Sequence, residues 1–308
     1  MQFCANNNAF LCQIVHIIAD LQVQLHSIRV GAFFPQLPIA MARALPGLFQ
    51  SAAAVPAWAQ EMLLELEEPA RTLDVVEIFA GRGHLHQACA AAGLNAFGYD
   101  RCNGTDQDVT NKKGFLFAAA LVLALKVGGL LWLAPPCSSW IFLSSSGHKR
   151  SAQNQYAGDQ NRRDVQEANH VAAATGALVR LAAARGLEII VEQPADSCLF
   201  KFGCIRKALA AAAATSVRTW LGAFSDNFAC SKPLELRGNC SWLPALYRNK
   251  PLRGQAPEEV YKVGLDGKVS GGRALRGTSE YPVEFGTAAA TLFATAVGFV
   301  VVYLITFA

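Results

Sequence analysis

Short apolar runs alternate with helical stretches between Leu73 and Val191, and this alternation restricts the fold more than any other feature of the sequence. The runs predict buried strands, and the stretches between them have helical spacing or end at a helix-stopping glycine. We predict strands at Leu73–Phe79, Leu94–Tyr99, Leu130–Ala134 and Leu187–Val191, and helices at His84–Ala92, Gly114–Lys126 and Asn161–Arg185. This order predicts an α/β fold with an open, mostly parallel sheet, helices on both faces and ligands at the carboxyl ends of the strands.

Residues 1–70 precede this pattern and are predicted to form an extension of short helices and loops, because prolines such as Pro35, Pro38 and Pro46 interrupt it. No basic segment precedes the first apolar run, so we expect no secretory signal. The chain is 52% hydrophobic and 16% charged, which excludes a disordered protein. Nine cysteines without a C-x-x-C pair indicate reduced thiols inside a cell.

The domain that carries the pattern is predicted to cover residues 71–286, and residues 287–308 are predicted to form a hydrophobic C-terminal helix. No charged residue occurs after Glu284. A bilayer is spanned by about 20 apolar residues, so this segment fits a membrane anchor. It fits equally the last helix of the domain, buried against the sheet, and the sequence leaves both interpretations open.

The segment Glu77-Ile-Phe-Ala-Gly-Arg-Gly83 takes a predicted strand into a glycine turn and then a helix. Glycines allow a ligand to approach the backbone, and a helix N-terminus offers free N–H groups. A dinucleotide fingerprint requires a third glycine, where this chain has His86. The acidic Glu77 favours a cationic cofactor such as S-adenosylmethionine, although the segment is also compatible with an ordinary tight turn.

Two aspartates follow the second predicted strand. Asp100 lies about 20 residues beyond the glycine turn, the distance at which an acidic residue commonly binds ribose hydroxyls. Asp108 could accept a hydrogen bond from an adenine amino group. Each aspartate could instead cap a loop or the next helix.

The segment Ala134-Pro-Pro-Cys-Ser-Ser-Trp140 follows the strand predicted at Leu130–Ala134. Its prolines stiffen the turn that carries Cys137, and an ionised cysteine is a strong nucleophile. Glu192 lies at the end of the next predicted strand, where partial burial would raise its pKa and allow it to act as an acid. The alternatives are a small buried cysteine and a surface ion pair.

Together these segments resemble the cytosine-C5 DNA methyltransferase family in their order and spacing over residues 73–194. The resemblance implies a Rossmann-like S-adenosylmethionine methyltransferase fold, with DNA as substrate. It implies that Glu77, Phe79, Gly81, Gly83, Asp100 and Asp108 bind S-adenosylmethionine. Cys137 would add to C6 of a flipped-out cytosine while Glu192 hydrogen-bonds N3, and C5 would then take the methyl group.

The chain departs from the family's pattern at several positions. Ser138 follows the Pro-Cys pair where the family has Gln, and Gln193-Pro194 replaces Asn-Val. Arg218 is the nearest candidate for the family's late arginines, as a contact to phosphate or cytosine. A short stretch, Gly238–Gly272, replaces the long target-recognition region, and Arg276–Phe285 is similar to a late family segment.

Two other functions remain open from the sequence: methylation of RNA cytosine, and a catalytically inactive binding or membrane-anchored protein with the same fold. A protein acting on DNA in a eukaryote would be nuclear, and a spanning tail would place it in a membrane. We expect no metal site, because His84 and His86 lack cysteines at zinc-ligand spacing. The basic residues of His148–Arg150 and the pair Arg162-Arg163 could contact phosphates or lie in solvated loops.

Overall fold

The computed structural model describes residues 71–141, 144–225, 232–251, 262–263, 269–270 and 280–298. The chain divides after residue 69 into two units, and all of the described residues belong to the second. The predicted extension at residues 1–70 therefore lies outside the described part of the chain.

Eight strands and six helices occur in the described part of the chain. The strands are β1 Leu73–Ile78, β2 Ala96–Tyr99, β3 Leu125–Leu133, β4 Glu188–Pro194, β5 Thr215–Trp220, β6 Pro233–Gly238, β7 Lys262–Val263 and β8 Val269–Ser270. The helices are α1 His84–Ala91, α2 Lys112–Leu123, α3 Ser145–His148, α4 Arg163–Ala184, α5 Gly203–Ala211 and α6 Val283–Ala296.

The first six strands form one sheet in the order β2-β1-β3-β4-β6-β5. Strands β1 to β4 pair in parallel, whereas β6 lies antiparallel between β4 and β5. The α/β class is therefore confirmed, with a mixed sheet. The chain leaves β1 for β2 on one side and returns to β3 on the other, and such a reversal of strand order opens a crevice at the carboxyl ends of the strands.

Side chains alternate between the two faces of the sheet, and both faces are covered. Val75, Leu130 and Ile190 lie on the face that packs against α1 and α6. The next residue along each strand points to the opposite face and is also fully buried, as Val76 and Leu131 are. Helices α2 and α4 pack on each other and on this part of the sheet, and α5 packs on α4.

Strand β3 differs most from its prediction, since the expected helix was extended to Lys126 and the strand begins at Leu125. Leu125 is fully buried and pairs with Leu73, which ends α2 at Leu123. The pairing then shifts register over the next residues, where Gly128 adopts a left-handed φ of 73°. The Nζ atom of Lys126 forms an ion pair there with Oδ1 of Asp74, at 2.8 Å.

Helix α6 begins at Val283, after Pro282, whereas the C-terminal helix was expected from residue 287. Its inner side is fully or almost fully buried at Phe285, Ala289 and Phe293, in the same cluster as α1. Gly286 allows close packing, because a Cβ there would lie 2.6 Å from the carbonyl oxygen of His84. Residues 299–308 lie outside the described residues. Within the described residues, no helix has both the length and the apolarity needed to cross a membrane.

Candidate active site

Strands β1, β3 and β4 place three functional side chains on one face of the sheet. Glu77 pairs with Trp132, and Trp132 pairs with Ile190, two residues before Glu192. Because side chains alternate with a period of two, Glu77, Trp132 and Glu192 all point to the side of α1 and α6. Both carboxyl groups are buried, with Glu77 at 0% and Glu192 at 5% exposure. Two buried acids on β1 and β4, the two strands that flank β3, require a specific reason to be retained.

Glu77 is held by the first turn of α1. Its Oε2 accepts a hydrogen bond from the backbone N–H of His86 at 3.0 Å and lies 2.8 Å from Nδ1 of the same residue. The N-terminal end of a helix favours a negative charge at this position. The other oxygen, Oε1, is buried without a hydrogen-bond partner among the residues described.

The glycine turn contains three residues with a left-handed backbone, at alternate positions. Phe79, Gly81 and Gly83 have φ values of 65°, 55° and 74°. A bulky residue rarely adopts such a φ, so the strained Phe79 marks a turn whose shape the surrounding structure imposes. The space around Gly81 is open, because a Cβ built there would meet no atom within 4 Å. A ligand could therefore approach this backbone closely.

His86 explains why the third glycine of a dinucleotide fingerprint is absent. A Cβ at Gly83 or at Gly98 would overlap the imidazole ring, so the ring lies between these two glycines. Glycine is therefore needed at position 98 on β2, where it leaves room for the imidazole ring. In this position the ring reaches Glu77.

Asp100 joins the loops that follow β1 and β2. Its two oxygens accept hydrogen bonds from the backbone N–H groups of Gly81 and Cys102, each at 2.9 Å. Asp108 lies further along and accepts from the backbone N–H and hydroxyl of Thr110. The structure therefore brings Asp100 to the glycine turn, whereas the contacts of Asp108 are those of a loop cap.

Cys137 lies half-buried in the turn after β3, and Gln193 fixes the start of that turn. The Gln193 side chain donates to the carbonyl oxygen of Pro135 at 2.5 Å and accepts from the hydroxyl of Ser197. The backbone N–H of Trp140 closes the turn on the carbonyl oxygen of Cys137 at 2.8 Å. Burial raises the pKa of the Cys137 thiol, and Lys232 opposes this shift.

Arg150 clamps the same turn onto α4. Its guanidinium donates to the carbonyl and hydroxyl oxygens of Ser139 at 2.8 and 2.7 Å and to the side-chain oxygen of Asn169 at 2.8 Å. It also lies 3.5 Å from the centre of the Trp140 ring. Burial lowers its pKa to about 10, so it stays charged at neutral pH. Each guanidinium nitrogen of Arg150 already donates to an acceptor within the protein, and a contact between Arg150 and phosphate stays a prediction.

Tyr281, which precedes α6, covers the acids on this face. Its hydroxyl donates to Oε2 of Glu192 at 2.8 Å and accepts from Nε1 of Trp132 at 3.3 Å. The second oxygen of Glu192, Oε1, is buried and unpartnered within the described part of the chain. Burial raises the pKa of Glu192, and Lys232 and the hydroxyl of Tyr281 oppose that rise.

These electrostatic couplings show which predicted residues share one region. Lys232 acts on both Cys137 and Glu192, and Glu192 in turn acts on Cys137. The pKa of Tyr281 is raised by burial and then by the charges of Glu192 and Glu77. The predicted nucleophile, the predicted acid and the glycine turn belong to β3, β4 and β1, three adjacent parallel strands, and lie at or just beyond their carboxyl ends.

Arg218 lies outside this group. It is on β5, separated from β4 by β6, and forms an exposed ion pair with Asp196 at 2.8 Å. Within the described ranges, no three His, Cys, Asp or Glu side chains are arranged to hold a metal ion.

Sequence reasoning missed the roles of Tyr281, Lys232 and Arg150. Two signals were available: a tryptophan in a buried strand requires an acceptor for its N–H, and a buried acid requires a donor. Neither signal names the partner, since Trp132 and Tyr281 are 149 residues apart.

No protein-family model matches the sequence. No curated protein matches it significantly either. The interpretation of the site therefore depends on its own geometry and chemistry.

Proposed function

We propose that this protein transfers a methyl group from S-adenosylmethionine to C5 of cytosine in DNA. One observation carries the proposal: a half-buried cysteine follows β3 and a buried glutamate lies near the end of β4, on parallel strands in register beside β1 and its glycine turn. A purely structural core has little use for such a group, because each buried ionisable residue costs stability.

The glycine turn fits S-adenosylmethionine. The cofactor carries a positive sulfonium and a positive amino group, and the buried unpartnered Oε1 of Glu77 is an acceptor suited to a cation. The open space at Gly81 admits a ligand against the backbone. Asp100 retains lone pairs for ribose hydroxyls beyond the two N–H groups it already accepts. The crevice where strand order reverses is also where such sheets bind ligands.

The residues around this crevice provide the remaining chemistry. Lys232 lowers the pKa of Cys137 against the effect of burial, which favours the thiolate that forms a bond to C6 of the cytosine. Burial raises the pKa of Glu192, which favours the protonated carboxyl group that would donate to N3 as that bond forms. Bound S-adenosylmethionine would supply the methyl group to C5. Loss of the C5 proton then breaks the sulfur–C6 bond and restores Cys137.

Covalent trapping tests this proposal. DNA containing 5-fluorocytosine blocks loss of the C5 substituent, so the full chain with labelled S-adenosylmethionine is expected to form a stable labelled adduct. Cys137→Ser should form none, because a serine hydroxyl hardly ionises. Cys198→Ser is the matched control, since Cys198 is also partly buried but lies in the turn after β4.

Methylation by Cys137→Ser at the wild-type rate would refute the mechanism. A parallel reaction with 5-fluorocytidine RNA distinguishes the two substrates. An adduct on RNA alone would mean that the same reaction takes place on RNA and not on DNA. Absence of an adduct on both, with the cofactor bound, would leave an inactive binding protein.

A further inference from the structure

The hydrogen bonds of Tyr281 determine which oxygen of Glu192 faces the reaction. Trp132 Nε1–H can only donate, so the oxygen of Tyr281 accepts from it at 3.3 Å. The single proton of the Tyr281 hydroxyl is then free to point to Oε2 of Glu192, at 2.8 Å. These three side chains therefore form a chain of hydrogen bonds with one direction, from the indole to the carboxyl group.

This direction has a consequence for the neutral form of Glu192. A proton on Oε2 would require Tyr281 to accept it, and the hydroxyl proton of Tyr281 would then lack an acceptor among the described residues. A proton on Oε1 leaves the chain intact. Oε1 is also the oxygen without a partner, so it is the atom available to a ligand.

We propose that Tyr281, held by Trp132, is a positioning residue that occupies Oε2 of Glu192 and thereby leaves Oε1 to carry the exchangeable proton. The identity of the group that accepts this proton rests on the proposed function. The chain of hydrogen bonds does not depend on that function. The groups that face this carboxyl group are Lys232 before β6, Cys137 after β3 and the Tyr281 hydroxyl before α6. Glu77 acts on Tyr281 from β1.

Tyr281→Phe removes only the hydroxyl and provides the first test. The titration of Glu192 is followed by carbon NMR of the full chain labelled at glutamate side-chain carboxyls, with Glu192→Gln to assign the signal. Because the Tyr281 hydroxyl stabilises the carboxylate, its loss should raise the pKa of Glu192. Trp132→Phe should raise it less, since the hydroxyl remains but is no longer polarised or fixed.

Tyr99→Phe is the matched control. It removes a buried hydroxyl that donates to the carbonyl oxygen of Gly114 at 2.9 Å, away from Glu192. The free energy of unfolding of Tyr99→Phe should fall as that of Tyr281→Phe does, but the pKa of Glu192 should stay unchanged. An unchanged Glu192 titration in both Tyr281→Phe and Trp132→Phe, or the same shift in Tyr99→Phe, would overturn the inference.

Adduct formation provides a second, separate measurement. In Tyr281→Phe the rate should fall by ~10-fold, the effect of losing one hydrogen bond that positions the carboxyl group. The rate should decline at the pH where Glu192 loses its proton. In the variant, that pH should rise together with the pKa of Glu192 measured by NMR. If no variant and no wild-type protein forms an adduct, the proposed function fails, while the NMR titration still decides the role of Tyr281.

Discussion

Replacing Arg150 by methionine should destabilise the fold and loosen the turn that carries Cys137. Methionine keeps the length and apolar stem of the side chain but removes every donor. The acceptors on Ser139 and Asn169, at 2.7 to 2.8 Å, would lose their partner. The stacking on Trp140 would also lose its charge.

The magnitude follows from these contacts. Each hydrogen bond to a charged group is worth about 1.5–3 kcal/mol, but such values do not add. Arg150 is only partly buried, so water can replace some of the lost donors. We therefore expect the free energy of unfolding to fall by about 2–4 kcal/mol, more than one such hydrogen bond alone and less than the sum of all of them. Arg150→Lys keeps the charge but not the forked geometry, so it should lie between methionine and wild type.

Urea unfolding followed by tryptophan fluorescence and circular dichroism measures this loss. Arg162→Met is the control, because Arg162 is exposed and its ion pair among the described residues is with Asp164 at the start of α4. That change should stay within about 0.5 kcal/mol of wild type. If Arg150→Met were also within about 1 kcal/mol of wild type, the description of Arg150 as a clamp would be wrong.

Two further predictions concern the cofactor turn and the buried acid. Gly81→Val should abolish the heat of S-adenosylhomocysteine binding in calorimetry, whereas Gly93→Val, which has the same open surroundings and a φ of 87°, should bind normally; equal binding by both would contradict the cofactor assignment. Glu192→Gln should lower the methylation rate by ~10²-fold yet stabilise the fold. Burial raises the folded-state pKa of Glu192, so native protein holds its proton more tightly than unfolded chain, and stability falls as pH rises through the folded pKa. Urea unfolding should therefore show a larger gain for Glu192→Gln at pH ~8 than at pH ~5, and a gain that does not depend on pH would contradict this account.

The first part of the fold could be predicted because its signals are local. Glycines at 81, 83 and 93 delimit α1, and the helix ends within one residue of its predicted end. Strand β3 could not be placed in the same way. Leu125 and Lys126 continue the helical pattern of α2, and only the pairing of Leu125 with Leu73 makes them part of a strand.

The site was predictable in its acids and its nucleophile but not in the groups that hold them. Cys137 follows β3 and Glu192 lies near the end of β4, and strand ends of a parallel sheet meet at one edge. Tyr281 comes from a segment far along the chain, and its position depends on how α6 packs on α1. The role of Arg150 could not be predicted for a different reason. A basic residue in a loop has the same sequence signature whether it binds phosphate or a buried serine.

His86 and the two glycines that enclose it are a single steric unit, and this couples their evolution. Any side chain at Gly83 or Gly98 would displace the imidazole, and the displaced ring would leave the buried Glu77 with one partner fewer. Gly83 also has a φ of 74°, so glycine is favoured there whatever residue occupies position 86, whereas a side chain at 98 requires the ring to move or to be replaced by a smaller one. Related sequences should therefore vary at positions 86 and 98 together.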